Sequence, residues 1–432
     1  MARKMKDSGI EWIGEIPEGW SKNKCLRLFN VIGSGTTPKS LVSDESPSIN
    51  WIQSGDINGT LLFSCKNTIS ESTFSQYSAL KTYSAPFIII AMYGASIGNI
   101  SISFIDGCVN QACCVLSVPL CNLDYAFYAI KSAQFYLVQK AVGGGQPNIS
   151  QDTIKQLWIP QPSLAMQEAI ANSLNKACSH IDAILTKTRT SIEEYKKLKQ
   201  AVITQAVTKG VRGEREMKDS KIDYIGQIPD EWILCKLRNI GDAQNGISKS
   251  SDFFGKGAPF VSYSDVYKNY SLPFSVSGLV ESTPAEQERY SVKEGDIFFT
   301  RTSETIEEVG YSCVCEKDIP HATFAGFLIR VRPFSDELYT PYAKYYFRSS
   351  HLRFYLVKEM NLVTRASLGQ SLLKSMPVLL PSLEEQKEIA DYLDAKCTEI
   401  NGLIAKKEQL VKELESYKKS LIYEVVTGKR EA

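Results

Sequence analysis

The sequence predicts an α+β chain with two pseudo-repeated, strand-rich domains separated by two long helices packed as an antiparallel coiled coil. Three observations carry this. The chain repeats its own frame: residues 5–20, MKDSGIEWIGEIPEGW, return as residues 217–232, MKDSKIDYIGQIPDEW, at an offset of 212. A second pair, PSLAMQEAIANSLNKACSHI from Pro162 and PSLEEQKEIADYLDAKCTEI from Pro381, repeats at an offset of 219. Between the matched segments the halves differ almost completely. A frame kept while its inserts vary suggests one scaffold presenting two different surfaces.

The order along the chain is arm, insert, helix, arm, insert, helix. Each arm spaces Ile, Pro and an aromatic residue by Gly, which reads as a docked extended segment. In the first insert, residues 48–57, 86–93, 99–105 and 109–118 are short β-branched or aromatic runs bounded by Gly, Asn and Asp, the mark of strands. Residues 124–142 carry helical spacing. In the second insert, strands are expected at 259–266, 296–301, 311–315 and 322–331, and a helix at 341–358.

The long helices give the clearest pattern. Ile170, Leu174, Ile181, Ile192 and Leu198 recur by threes and fours, as do Ile389, Leu393, Ile400, Leu410 and Leu414. Such a stripe needs a partner helix. Each helix can extend for about 45 residues, or about 65 Å. Ser382 with Glu385 forms a capping box; the first copy has Met166 where Glu385 stands. A pseudo-two-fold relation between the halves makes equivalent helices antiparallel where they pack.

Bulk composition narrows the function classes. Hydrophobic residues make up 43% and charged residues 22%, ordinary for a soluble globular chain. Lys and Arg number 49 against 48 Asp and Glu, so a polyanion partner requires locally concentrated basic groups. Eleven cysteines show no metal-knuckle spacing, which predicts reduced thiols and a cytoplasmic protein. The longest apolar run, residues 85–93, is too short to span a bilayer. No phosphate-binding Gly-x-x-x-x-Gly-Lys-Ser/Thr loop, adenine-holding Asn/Asp-Pro-Pro-Tyr run or catalytic constellation is present.

These residues resemble the specificity subunit of type I restriction–modification systems across nearly the whole chain. The resemblance rests on the arm and its copy, Gly35-Thr-Thr-Pro-Lys39, Trp51-Ile-Gln-Ser-Gly-Asp56 and Gly94-Ala-Ser-Ile-Gly98. It continues through Asn110-Gln-Ala112, Gly145-Gln-Pro-Asn-Ile-Ser150 and both helix starts. The second insert departs more: Gly246-Ile-Ser-Lys249 and Ala366-Ser-Leu-Gly-Gln370 replace two of these motifs.

The resemblance implies a non-catalytic, DNA-binding subunit. Residues 1–160 and 213–380 would be target recognition domains, each reading half of an asymmetric, interrupted site on double-stranded DNA. Residues 161–212 and 381–432 would be spacer helices that dock two methyltransferase subunits, with restriction subunits joining them. The chain itself would hold no cofactor; S-adenosylmethionine and ATP would sit on partner subunits. No membrane association is expected. A rival reading is a two-headed carbohydrate- or protein-binding adaptor on a helical rod.

Reading base edges needs Arg or Lys for guanine, Asn or Gln for adenine, and adaptable hydroxyls. The candidates are Lys39, Gln53, Tyr93, Gln111, Gln146 and Asn148 in the first insert. In the second they are Lys249, Tyr263, Ser264, Arg301, Thr302 and Arg365. Arg301-Thr302 and Tyr93-Gly94 each follow a strand, which places the two dipeptides at equivalent strand ends.

Overall fold

The computed structural model describes residues 3–38, 48–143, 147–303, 308–359 and 366–432. Lys39, Gln146 and Arg365 lie outside the described residues. Two compact units are present: Met1–Thr188 with Gln409–Ala432, and Arg189–Glu408. Both long helices therefore contribute to both units.

In the first unit, the arm is an antiparallel pair, Met5–Asp7 with Glu15–Pro17. It is thus a hairpin, where the sequence suggested a single extended segment. The Ile13 and Gly14 amides donate back to the Ile10 carbonyl and close its turn. The insert holds a five-stranded sheet ordered Phe29–Gly33, Cys113–Pro119, Phe87–Ala91, Ile100–Ser103, Leu61–Leu62. Phe87–Ala91 is apolar throughout and buried throughout, as a central strand requires. A three-stranded sheet is ordered Cys108–Val109, Ser48–Ile52, Asn67–Ser70. The expected helix over 124–142 is present as two pieces, Leu123–Ser132 and Gln134–Gln139.

The second unit repeats this plan. Its arm pairs Met217–Asp219 with Gln227–Pro229. A four-stranded sheet is ordered Gly241–Asn245, Leu328–Pro333, Ile297–Thr300, Ser312–Val314. A three-stranded sheet is ordered Leu279–Val280, Phe254–Val261, Thr323–Phe324. The strand expected over 259–266 ends at Val261, and Tyr263–Lys268 is helical. The helix expected over 341–358 is split into Thr340–Tyr346 and Ser350–Glu359.

The long helices span Leu164–Lys209 and Leu383–Val426. Within the first unit, Lys418 pairs with Asp182 at 2.6 Å, and the Tyr125 hydroxyl donates to the Pro160 carbonyl at 2.8 Å with the Val426 carbonyl 3.4 Å away. The end of the second helix thus lies by the start of the first. Within the second unit, Lys199 donates to Asn401 and Arg212 to Glu388. The two helices are antiparallel in each unit.

A covered stripe in the first helix runs through 171, 174, 178, 181, 185, 188, 192, 195, 199, 202 and 206; in the second, the same stripe appears 219 residues later. Alternating steps of three and four define a heptad seam. Ile170, Leu174, Ile181, Ile192, Ile389, Leu393 and Ile400 are buried and Leu414 is half-buried. Leu198 and Leu410 are exposed by 48% and 41%, a correction to their expected place. Each precedes a seam position by one residue, a rotation of about 100°, so Lys199 and Val411 take the seam instead.

The helix starts share one buried device. Gln167 accepts the Asn122 amide and donates to the Pro162 carbonyl. Gln386 accepts the Tyr339 amide and donates to the Glu337 and Pro381 carbonyls. The expected capping box is half present. Ser382 Oγ accepts the Glu385 amide at 3.3 Å. The Glu385 carboxylate is turned away: it accepts the Trp232 indole N–H at 3.0 Å and pairs with Arg215 at 2.6 Å.

Candidate nucleic-acid interface

Chain distant in sequence converges at one end of the first insert. The Asn110 amide donates to the Ile52 carbonyl at 3.0 Å, and the parallel register of Ile52 with Val109 brings Gln53 level with Asn110, next to Gln111 in the chain. The Met92 amide donates to Ala112 at 2.7 Å, and the Ile149 amide to Met92 at 2.8 Å. Tyr93 and Asn148 form an antiparallel bridge. Gln53, Tyr93, Gln111 and Asn148 are therefore brought together. Gln111 and Asn148 are exposed, Gln53 and Tyr93 partly so.

Gly35 closes this end from below. A Cβ there would overlap the Val109 carbonyl oxygen, so only glycine permits the approach. Trp51, buried beneath, donates its indole N–H to the Thr36 carbonyl at 3.3 Å.

The second insert makes the same hydrogen bonds between different residues. Ala325 donates to Val261 at 3.0 Å, Arg301 to Phe327 at 2.9 Å, and Leu368 to Arg301 at 2.7 Å. Thr302 pairs with Ser367. Gly246 stands in for Gly35, with the Ala325 and Phe324 carbonyls where its Cβ would be. After each central strand end, an aspartate locks the next turn. The Gln53 amide donates to Asp56 Oδ2 at 2.9 Å, and the Ser262 amide to Asp265 Oδ2 at 2.8 Å.

These bonds align the halves residue by residue. Met92 corresponds to Arg301, and Tyr93 to Thr302. The expected matching of Tyr93-Gly94 with Arg301-Thr302 is therefore one residue out of register. The polar set of the first frame is Gln53, Tyr93, Asn110, Gln111 and Asn148. The second frame places Ser262, Thr302, Ala325, Gly326 and Ser367 at those positions. Tyr263 and the exposed Ser264 follow Ser262 on the helix Tyr263–Lys268, and the Tyr263 hydroxyl donates to the Glu308 carbonyl at 3.2 Å. Phe327 is exposed by 65%, whereas its counterpart Ala112 is buried.

Lys249 is committed elsewhere. Its ammonium pairs with Glu286 at 2.8 Å and donates to the Glu281 carbonyl. That bond holds the Glu286 carboxyl below its ordinary range. Lys249 lines a groove of about 690 Å³ with Phe253, Pro259 and His321.

Together the two ends offer amides, hydroxyls, an aromatic face and backbone groups. No cluster of His, Cys, Asp and Glu able to hold a metal occurs among the described residues. Burial pushes the Cys108 thiol up to about 11 and Cys114 up to about 12, so neither is a ready nucleophile. All eleven cysteines are free thiols. No helix among the described residues is long and apolar enough to cross a membrane.

A family model described as the type I restriction modification DNA specificity domain matches residues 17–194 and 229–413. The chain belongs to this family. Each match takes in an insert and much of the long helix that follows, so the specificity-domain repeat and the repeated frame coincide. The chain is 26% identical to the EcoKI specificity subunit of Escherichia coli (strain K12) over 430 residues, covering 93% of this chain and 88% of that one. It is 26% identical to the MjaVIII specificity subunit of Methanocaldococcus jannaschii over 310 residues, covering 71% and 69%.

Solved structures share the fold of this specificity-domain chain. A chain from a study of complex assembly and conformational transition of the type I restriction–modification system aligns with a TM-score of 0.73 at 16% identity, covering 95% of this chain and 98% of that one. The HsdS subunit from Thermoanaerobacter tengcongensis aligns with a TM-score of 0.50 at 16% identity, covering 96% and 98%.

Sequence reasoning missed Ser367 and Phe327, which align with Asn148 and Ala112 only through long-range bonds. It also passed over Gln167 and Gln386, although the repeat displays both at one offset.

Proposed function

We propose that this chain is the non-catalytic, sequence-specific DNA-recognition subunit of a type I restriction–modification complex. Residues 1–160 and 213–380 act as target recognition domains, each reading one half of a bipartite, asymmetric site on double-stranded DNA. The observation that carries this reading is the shared hydrogen-bond frame with unlike side chains. One geometry positions both readers, and different polar groups give each its own preference. Gln53, Gln111 and Asn148 suit adenine edges, and the hydroxyls of Tyr93, Thr302, Tyr263 and Ser264 serve as adaptable partners. Arg301 is assigned to the second reader, and Lys39, Gln146 and Arg365 to phosphate or base contacts; Lys249, held by Glu286, is left out of the reader.

The helices of residues 161–212 and 381–432 set the spacing between half-sites, which must respect the helical repeat of DNA. The repeated arm and helix end offer equal docks to two methyltransferase subunits; nuclease–translocase subunits join that core. S-adenosylmethionine and ATP belong to those partners.

A direct test is to co-purify the full chain with the adenine methyltransferase of its system and titrate duplex DNA across salt concentrations. Retardation that weakens log-linearly with salt is expected. Binding to carbohydrate or protein with no duplex affinity at any salt would establish the adaptor reading instead.

A further inference from the structure

Each recognition end hangs on a cation that points inward. In the second unit, Arg348 follows the helix Thr340–Tyr346. Its guanidinium donates to the carbonyls of Val266 at 2.8 Å, Tyr267 at 3.0 Å, Asn269 at 2.7 Å and Ser312 at 2.6 Å. Val266 and Tyr267 lie in the final turn of the helix that carries Tyr263 and Ser264, and Asn269 is its C-cap. Such carbonyls lack intrahelical partners and attract positive charge.

Arg348 also lies over the rings of Tyr270 at 4.6 Å and Tyr311 at 5.0 Å. Tyr311 packs on Tyr267, and Tyr267 stacks on Tyr263 at 6.0 Å. A continuous chain of contacts therefore joins the half-buried guanidinium to a candidate reader.

The first unit solves the same problem with a lysine. Lys131 donates to the Gly59 carbonyl at 2.6 Å, just beyond the turn Ser54–Asp56 that follows Gln53. Asn99, the counterpart of Tyr311, donates to the Ile57 carbonyl at 3.0 Å. Lys131 and Arg348 stand at one offset, 217, shared by Tyr125 with Tyr342 and Tyr128 with Tyr345. Those tyrosines bind matching groups: Tyr125 and Tyr342 the Pro160 and Leu379 carbonyls, Tyr128 and Tyr345 the side chains of Asn175 and Asp394 on the long helices.

We propose that Lys131 and Arg348 are positioning residues for specificity. Neither touches DNA. Each fixes its recognition loop to the helix that packs on the long-helix frame, and so sets where the readers meet a base edge. This rests on the DNA-reading function proposed above. A hydrogen bond to a base edge is lost with a small displacement, whereas phosphate attraction tolerates one. Loss of the tether should therefore cost discrimination before it costs affinity.

The test uses the full-length chain in complex with the adenine methyltransferase of its system, selecting from duplexes with a randomised centre. Wild type should enrich a bipartite motif. Arg348→Ala should lower base preference in the second half-site by roughly tenfold, within the range of one bidentate base contact. The first half-site and the salt dependence should stay as in wild type. Arg348→Lys installs the first unit's solution and should recover part of the preference; it also decides the matter if the alanine variant does not fold. An unchanged motif in the variants, or equal loss from both half-sites, overturns the positioning role. No enrichment by wild type overturns the DNA-reading function itself, and this proposal with it.

Discussion

The two inserts share a backbone frame and almost none of its side chains. Where Asn110 bonds Ile52, Met92 bonds Ala112 and Ile149 bonds Met92 in the first, Ala325 bonds Val261, Arg301 bonds Phe327 and Leu368 bonds Arg301 in the second. The first insert has an edge strand, Leu61–Leu62, where the second, among the described residues, has a single parallel bridge, Ser271 with Val314. The first follows its central strand with a 3₁₀ turn, Ser54–Asp56; the second uses the helix Tyr263–Lys268. The difference teaches that position is held by main-chain bonds and two aspartates, which leaves side chains free to vary. A recogniser built this way can change what it reads without changing how it folds.

The comparison can be broken at its most buried points first. Leu174→Ala and Leu393→Ala remove equivalent seam residues, each essentially unexposed. Each should cost about 2–5 kcal/mol in urea unfolding. Unequal costs, one near zero, would show that the halves do not share a packing scheme. Gln167→Leu and Gln386→Leu leave backbone groups unpaired and should cost about 1–3 kcal/mol per stranded group. The second should be the worse, since Gln386 serves one more carbonyl.

A pH experiment separates the halves. His351 is buried in the second unit, edge-on to Tyr346, with burial lowering its pKa from 6.5 to about 3. The first unit has Gln134 at the corresponding place. The folded state thus binds its proton later than the unfolded chain. His351 stability is present above pH 6.5 and is lost as pH falls toward 3, by at most about 1.4 kcal/mol per pH unit. His351→Phe keeps the edge-on ring and should flatten this slope. A slope identical to wild type would place the acid sensitivity elsewhere.

At the recognition ends, Thr302→Val should weaken binding to the second half-site by about 1–3 kcal/mol and leave the first alone. Duplexes mutated in one half-site at a time would reveal a loss at the wrong half. The smallest effects belong to Leu198→Ala and Leu410→Ala. Both are exposed, so thermal unfolding should shift by no more than about 0.5 kcal/mol in stability. A core-sized loss would return them to the seam.

The long helices and the apolar central strands were legible because their signals are local, whereas the strands Phe29–Gly33, Asn67–Ser70 and Gly241–Asn245 carry no such run. Periodicity showed the seam, but steps of three and four alone admit Leu198 beside Lys199, and a helix turns about 100° between them. The recognition ends were legible only as a set of polar residues near strand ends. Their frame depends on bonds between residues some tens of positions apart, such as Ile52 with Asn110, whose register no local pattern encodes. That is why Tyr93 was matched to Arg301 when its partner is Thr302. Lys131 and Arg348 were invisible for the same reason: their offset of 217 differs from that of the loops they hold. Glu385 looked like a capping residue by spacing, yet the buried Trp232 indole and Arg215 claim it.

The central claim is that two independent readers occupy equal frames in one chain. Exchanging residues 233–380 for the corresponding insert of a relative, then mapping adenine methylation across the host genome, tests it most directly. The account predicts a new second half-site, an unchanged first half-site and unchanged spacing. A motif altered in both halves, or in neither, would contradict it.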